Sequence, residues 1–219
     1  GNEARKTATY NIDLGKMSST VEGIGNGIND TKNKRFHTGI PYKIKLHNVT
    51  SSSGVAKVKF YNAKGEFIKE ETYEAGKEYE VPVGAVGYVL ENQLGAESTK
   101  TELFGGSELL RDTNVPTIDV KVGTDKYSAG GKDWYAKKPD VTVVGNDLEN
   151  LSEFRILTAK GDIYKKEYDL EKTTGELKVN FDGLDDVKGR KINYQGKEYG
   201  SDDPNAYNFV FIARDKVGQ

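Results

Sequence analysis

The chain has 219 residues, no cysteine and one tryptophan, and 32 Lys plus Arg against 34 Asp plus Glu leave a formal net charge of −2. That length builds one large domain or two of about 100 residues each, and either size buries a working core. Balanced charge gives nucleic acid no electrostatic footprint, the absence of cysteine excludes disulfides, thiolate zinc sites and a cysteine nucleophile, and no apolar run approaches the roughly 20 residues that span a bilayer. Thirteen tyrosines, eight phenylalanines and 25 glycines describe a folded, turn-rich β protein rather than a disordered one.

In chain order, alternating apolar segments predict strands at 7–14, 41–48, 55–62, 66–73, 78–82 and 86–92, then at 117–122, 140–146, 153–158, 162–168, 175–181, 190–194 and 207–214. Asn62-Ala-Lys-Gly65 and Ala159-Lys-Gly161 each sit between two such runs and supply the glycine that a hairpin turn needs. Ser18 to Gly39 is Gly/Asn-rich and reads as a long irregular loop, the kind of segment that tends to carry function. Helical periodicity is scarce, its best candidate being the single turn Ser107-Glu-Leu-Leu-Arg111.

A short polar linker with one proline, Leu110 to Pro116, leads into the alternating Ile118, Val120 and Val122, so a domain boundary is placed at residue 114. The fold class is all-β, with two β-sandwich domains at 1–114 and 115–219. No register makes the halves repeat residue for residue, so they are expected to be different sandwiches. In the closing strand, Tyr207, Phe209, Phe211 and Ala213 share one face and Asn208, Val210, Ile212 and Arg214 the other.

Residues 115–219, with the segment leading into them, resemble the bacterial immunoglobulin-like (Big-type) modules strung along Gram-positive surface proteins and secreted envelope enzymes. Four pieces carry the resemblance: Asp112-Thr-Asn-Val-Pro-Thr-Ile118; Asp133-Trp-Tyr-Ala136 followed by Pro139-Asp-Val-Thr-Val-Val144; Gly145-Asn-Asp-Leu148 leading to Phe154-Arg-Ile156; and Tyr207 to Gly218 with its Asp-Lys-Val-Gly turn. Gln219 stands where the family usually has asparagine. The resemblance implies an immunoglobulin-like sandwich, no catalytic residues, and an extracellular or cell-wall-associated setting from which a secretion signal has been removed. The N-terminal half resembles jelly-roll or fibronectin-like accessory domains only in its alternation.

Hydrolysis requires a carboxylate pair or a Ser/His/Asp set, and the two histidines, His37 and His47, fall in different predicted elements. His47 reads as a surface strand end. His37, with Asn26, Asp30 and Arg35, lies in the 18–39 segment, and these four with Tyr61 and Tyr73 form the candidate ligand-binding set. The plainer reading is a solvated loop histidine and tyrosines chosen for β propensity. Tyr61, Tyr73, Tyr79, Tyr164, Tyr168, Tyr194 and Tyr199 exceed what two small cores need, so several are expected to face solvent, whereas Trp134 and Tyr135 are expected in the core. Glu22-Gly-Ile-Gly-Asn-Gly27 lacks the following helix of a phosphate loop.

The acidic groups Asp182, Asp185, Asp186, Asp202 and Asp203 offer oxygens to calcium, the one cofactor considered, although charge clusters are more often solvated faces. Lys121 and Asn208 lie on the first and last strands of the second domain, but Asn208 points away from the aromatic face, against an isopeptide bond. The expectation is a non-enzymatic, monomeric stalk, adhesion or ligand-binding segment of a bacterial surface protein. Its partners would be a host matrix protein or a glycan, with no nucleic acid and no membrane span. The alternative is a pair of accessory domains of a secreted hydrolase such as a cell-envelope protease or a glycosidase.

Overall fold

A computed structural model of the chain describes residues 5–13 and 16–217. The chain divides into two compact units, Gly1–Arg111 and Asp112–Gln219, just ahead of the expected cut at 114. Both are all-β sandwiches.

Unit 1 contains β1 (Ser18–Ile24), β2 (Ile28–Asp30), β3 (Arg35–Thr38), β4 (Lys43–Thr50), β5 (Val55–Asn62), β6 (Phe67–Thr72), β7 (Glu78–Glu80), β8 (Ala85–Asn92), β9 (Thr101–Glu102) and β10 (Glu108–Arg111). One sheet has the order β1-β4-β7 and the other β6-β5-β8-β9, with a small third sheet β10-β3-β2. Period-two alternation sends Ile44 and Leu46 from the first sheet, and Val58, Phe60, Tyr88 and Leu90 from the second, into one core with Tyr79 between them. Ile44 faces Tyr79 across β4 and β7, and Phe60 faces Tyr88 across β5 and β8. The Tyr79 hydroxyl accepts from Glu74 N–H at 2.7 Å and donates to Glu74 C=O at 3.1 Å, so the phenol closes the turn before β7. Beyond this core β8 is buried on its other face too, where Val86 and Val89 pack with Tyr61. The outer side of β5 and β6 carries a lattice of opposite charges, including Lys57–Glu70 at 2.9 Å and Lys59–Glu97 at 2.6 Å, and on the opposite side of the edge strand β6 Lys69 pairs with Glu71 at 2.8 Å.

Three expectations are corrected in unit 1. Residues 18–39 are no irregular loop, since they hold β1, β2 and β3. β1 is an edge strand bound to β4 by its backbone, with Ser18, Thr20 and Glu22 in solvent, so it shows no apolar alternation to read. Ser107–Arg111 is no helical turn but mostly β10, which pairs in parallel with β3. The strand expected at 7–14 is absent over the described residues 7–13, where Tyr10 and Ile12 are 84% and 79% exposed, and Leu14 lies outside the described residues. Alternation defines an apolar face, but a strand persists only where a neighbouring edge supplies its hydrogen bonds.

Unit 2 contains β11 (Thr117–Val122), β12 (Tyr127–Ala129), β13 (Lys132–Trp134), β14 (Val141–Asn146), β15 (Leu151–Thr158), β16 (Gly161–Glu167), β17 (Thr174–Lys178), β18 (Ile192–Tyr194), β19 (Lys197–Tyr199) and β20 (Val210–Asp215). Its sheets are β11-β14-β17 and β16-β15-β20, with β12-β13 and β18-β19 as two-stranded hairpins. Val141, Val143 and Leu177 from one sheet meet Phe154 and Ile156 from the other, and Tyr207, Phe209, Phe211 and Ala213 pack on the same cluster from the face alternation assigns them. At the β15–β16 hairpin Gly161 has φ 98°, and at the β5–β6 hairpin Gly65 has φ 84°, the left-handed conformation that glycine adopts without strain.

Setting aside the hairpins and the small third sheet, both units place their first, second and fifth strands in one sheet and their fourth, third and sixth in the other. This is the two-sheet connectivity of immunoglobulin- and fibronectin-like sandwiches with the fourth strand beside the third, so the two units share an architecture, and of the two alternatives for unit 1 the fibronectin-like one fits and the jelly roll does not. The likeness is plainest at residue level in the Ala-Lys-Gly hairpins, Ala63–Gly65 and Ala159–Gly161, and in the strand that follows each, where Lys69–Glu71 and Lys165–Glu167 form the same ion pair.

Phe154 is fully buried at the centre of the unit 2 core. Phe154→Ala is expected to cost about 3–5 kcal/mol. Calorimetry checks this: one of two unfolding transitions moves down sharply, and the transition of unit 1, whose core is separate, stays in place.

Candidate functional site

The residues expected to bind a ligand from the 18–39 segment do not form a surface site. His37 is buried on β3, backbone-paired with Ile28 and Leu110, and Asp30 is buried and turned to Asn33, whose side-chain amide donates to it at 2.8 Å. That bond, ahead of the opposing effect of burial, holds the Asp30 carboxyl below its ordinary range. Asn26 and Arg35 are exposed, while Tyr61 is buried and Tyr73 packs on the unit 1 core. Tyr79 is buried as well, and the tyrosines most open to solvent are instead Tyr10 and Tyr127. His47 is exposed, but it lies within β4 rather than at its end, opposite Thr20 of β1, with Nε2 2.7 Å from a Glu22 carboxylate oxygen.

The acidic residues of unit 2 are occupied by lysines. Asp185 accepts from the Tyr207 hydroxyl and lies 3.3 Å from Lys188 and 3.6 Å from Lys138. Asp186 is 2.7 Å from Lys160, and Asp203 is 2.7 Å from Lys132. Asp182 and Asp202 are exposed. Among the described residues no three carboxylate or histidine groups converge as a metal would require. Asn208 is tied by its amide to the Arg190 and Ser201 carbonyls at 2.9 and 2.7 Å.

The concave feature of unit 2 is a groove of about 780 Å³. Its floor is apolar: Val120 and Val122 from β11, Val141 from β14, Phe181 from the segment after β17, and Phe209 and Phe211 from the closing strand. The aromatic part is ordered by edge-to-face contact, with Phe181 against Tyr207 at 5.2 Å and against Phe209 at 5.4 Å, while Phe209 stacks on Phe211 at 6.0 Å. The rim is polar. The Lys138 and Lys188 ammonium groups lie 5.7 and 5.1 Å from the Tyr207 ring centre, and Asp133 on the β12–β13 hairpin accepts from Lys126 and Ser128 at 2.6 Å each. Trp134, expected in the core, stands on this rim and is 44% exposed, because its hairpin lies outside the two facing sheets. The arrangement offers apolar area, aromatic faces and ammonium donors, which are the means of recognition.

The groove was only partly legible in the sequence. The alternation of β11 and of Tyr207 to Ala213 marks both of its walls, but nothing in the residues shows that Val120 and Val122 stay 46% and 40% exposed. That depends on what lies beside them in the fold.

No protein-family description matches the chain, and no curated protein matches it. Among solved structures, it is similar to the fibronectin(III)-like modules of CbhA from Clostridium thermocellum, at 18% identity and a TM-score of 0.35 over 92% of this chain and 87% of that one.

Ion pairing sets the acid response of the rim. The Tyr207 hydroxyl first, then Lys188, lowers the Asp185 carboxyl below 3.8; Lys132 does so for Asp203 and Lys160 for Asp186. Carboxyls depressed in the folded state add stability that is complete above their unfolded pKa near 4 and is lost as pH falls through the lower folded values. The melting temperature of unit 2 is therefore expected to be flat between about pH 5 and 8 and to fall below about pH 4. The drop should be shallower in Asp185→Asn or Asp203→Asn and in high salt, since these pairs are exposed and screened.

Proposed function

We propose that this chain is a non-catalytic segment of an extracellular, cell-wall-associated bacterial surface protein, a stalk of two sandwiches in series whose contact face is the groove of unit 2. The observation that supports this reading is the groove itself: an apolar floor, aromatic walls and a rim of lysines and carboxylates. Binding sites favour concave, mostly apolar surfaces with a few polar groups that fix orientation. A host matrix protein is the partner class, since an exposed Trp134 on the rim of an apolar floor matches the aromatic anchors of protein interfaces.

A glycan is the second reading. The ring faces of Trp134 and Tyr207 suit stacking on sugars, and that outcome would fit accessory domains of a secreted hydrolase. The whole chain, probed against an array of matrix proteins and polysaccharides, separates the two. Retention on a matrix protein is expected, weakened roughly tenfold, about 1.4 kcal/mol, by Trp134→Ala. Retention on polysaccharide alone selects the second reading, and no retention, or retention that Trp134→Ala leaves unchanged, removes the groove as the contact face.

A further inference from the structure

The two units share a strand order up to the sixth strand and differ at the seventh. In unit 1 the sixth strand, β8, is flanked on its far side by β9, which pairs with it antiparallel through Gly87–Glu102 and Tyr88–Thr101. Backbone bonds from Ser98 N–H to Leu90 C=O and from Leu103 N–H to Val86 C=O, each 2.8 Å, extend that cover, and Leu103 is buried beneath it. In unit 2 the sixth strand, β20, pairs with β15 alone among the described residues. Beside its open edge, Val120 and Val122 of β11 and Phe209 and Phe211 line the groove, and β11 approaches β20 without a hydrogen-bonded ladder. An open ladder edge next to an uncovered apolar strip is a template for one more strand.

The chain also carries a strand sequence with no sheet to join. In Thr7-Ala-Thr-Tyr-Asn-Ile-Asp13, Ala8, Tyr10 and Ile12 alternate with polar residues, and Tyr10 and Ile12 are 84% and 79% exposed. The segment is anchored where Asp13 accepts the Ser53 N–H at 3.0 Å. We infer that the Thr7–Asp13 segment of a second copy adds to β20 as the seventh strand of unit 2, joining copies head to tail. Running antiparallel to β20, as β9 does to β8, with Tyr10 opposite Phe211 and Ile12 opposite Phe209, the segment shares the face of those phenylalanines and turns Tyr10 and Ile12 onto the groove floor. Donor and acceptor lie on different surfaces, so the contact is heterologous and extends into open chains unless its rotation closes a ring. The inference deepens the stalk reading, on which its biological use rests, and leaves the Trp134 rim to the outside partner.

Sedimentation and light scattering over a range of concentrations test it. The whole chain is expected to leave its 24.2 kDa monomer mass and at least double it as concentration rises. A chain beginning at Asp13 should stay monomeric, bind a synthetic peptide of residues 6–13, and unfold at a higher temperature with that peptide bound. Val120→Glu, at a position already 46% exposed, should abolish both assembly and peptide binding without unfolding unit 2. A whole chain that stays monomeric throughout, or assembly that persists after removal of residues 1–12, overturns the inference. A monomer that is still retained on a matrix protein through Trp134 overturns it while leaving the proposed function standing.

Discussion

A β-sandwich must meet two demands at the same place: every strand edge has to pair its N–H and C=O groups, and every inward face has to be covered by apolar side chains. Unit 1 meets both around β8, which lies between β5 and β9 and is buried on its two faces. In unit 2 the central position falls to β15, between β16 and β20, and both demands lapse together at β20. The groove, the exposure of Val120 and Val122, and the accessibility of Phe209 and Phe211 are one condition seen from three sides. Trp134 on its hairpin and the lysine-carboxylate rim then border the opening rather than create it.

The sequence exposed the class and most strands, and the reasons for its failures are physical. Where one face is buried and the other partly wet, as in Val141–Asn146, period two is plain and the bounds agree with the structure to one residue. β1 escaped notice because pairing to β4 asks nothing of its side chains, and residues 7–14 were read as a strand because their side chains suit one, although residues 7–13 join no sheet. Tyr61 was read as a surplus aromatic although it is buried with Val86 and Val89 on the second face of β8, and Tyr73 although it packs on the main core. Side-chain pattern reports on burial, whereas pairing is a property of neighbours that no single segment records.

His37 teaches the same lesson for sites. Its position shortly after Asp30 and Arg35 in a Gly/Asn-rich stretch suggested an open loop, and the strand pairing of β2, β3 and β10 instead draws it inside. The residues that do line the concavity come from segments far apart in the chain, from Val120 to Phe211, each unremarkable locally. The Ala-Lys-Gly hairpins likewise show how little of a shared architecture survives as identity: a turn that needs glycine at positive φ keeps its residues, while two cores of similar size fill with different side chains.

The charged lattice over β5 and β6 bears on how the molecule behaves in a crowd. β6 is an edge strand, and Lys69, Glu70 and Glu71 with their partners put a fixed pattern of both signs along it. Another strand approaching that edge would have to strip water from those ions before finding a single backbone partner, the device by which exposed sheets stay unaggregated. The outer face of β20 carries Val210 and Ile212 with Arg214 as its one charge. The edge of unit 1 at β6 is therefore guarded against neighbouring strands by its charges, and the edge of unit 2 at β20 carries no such guard.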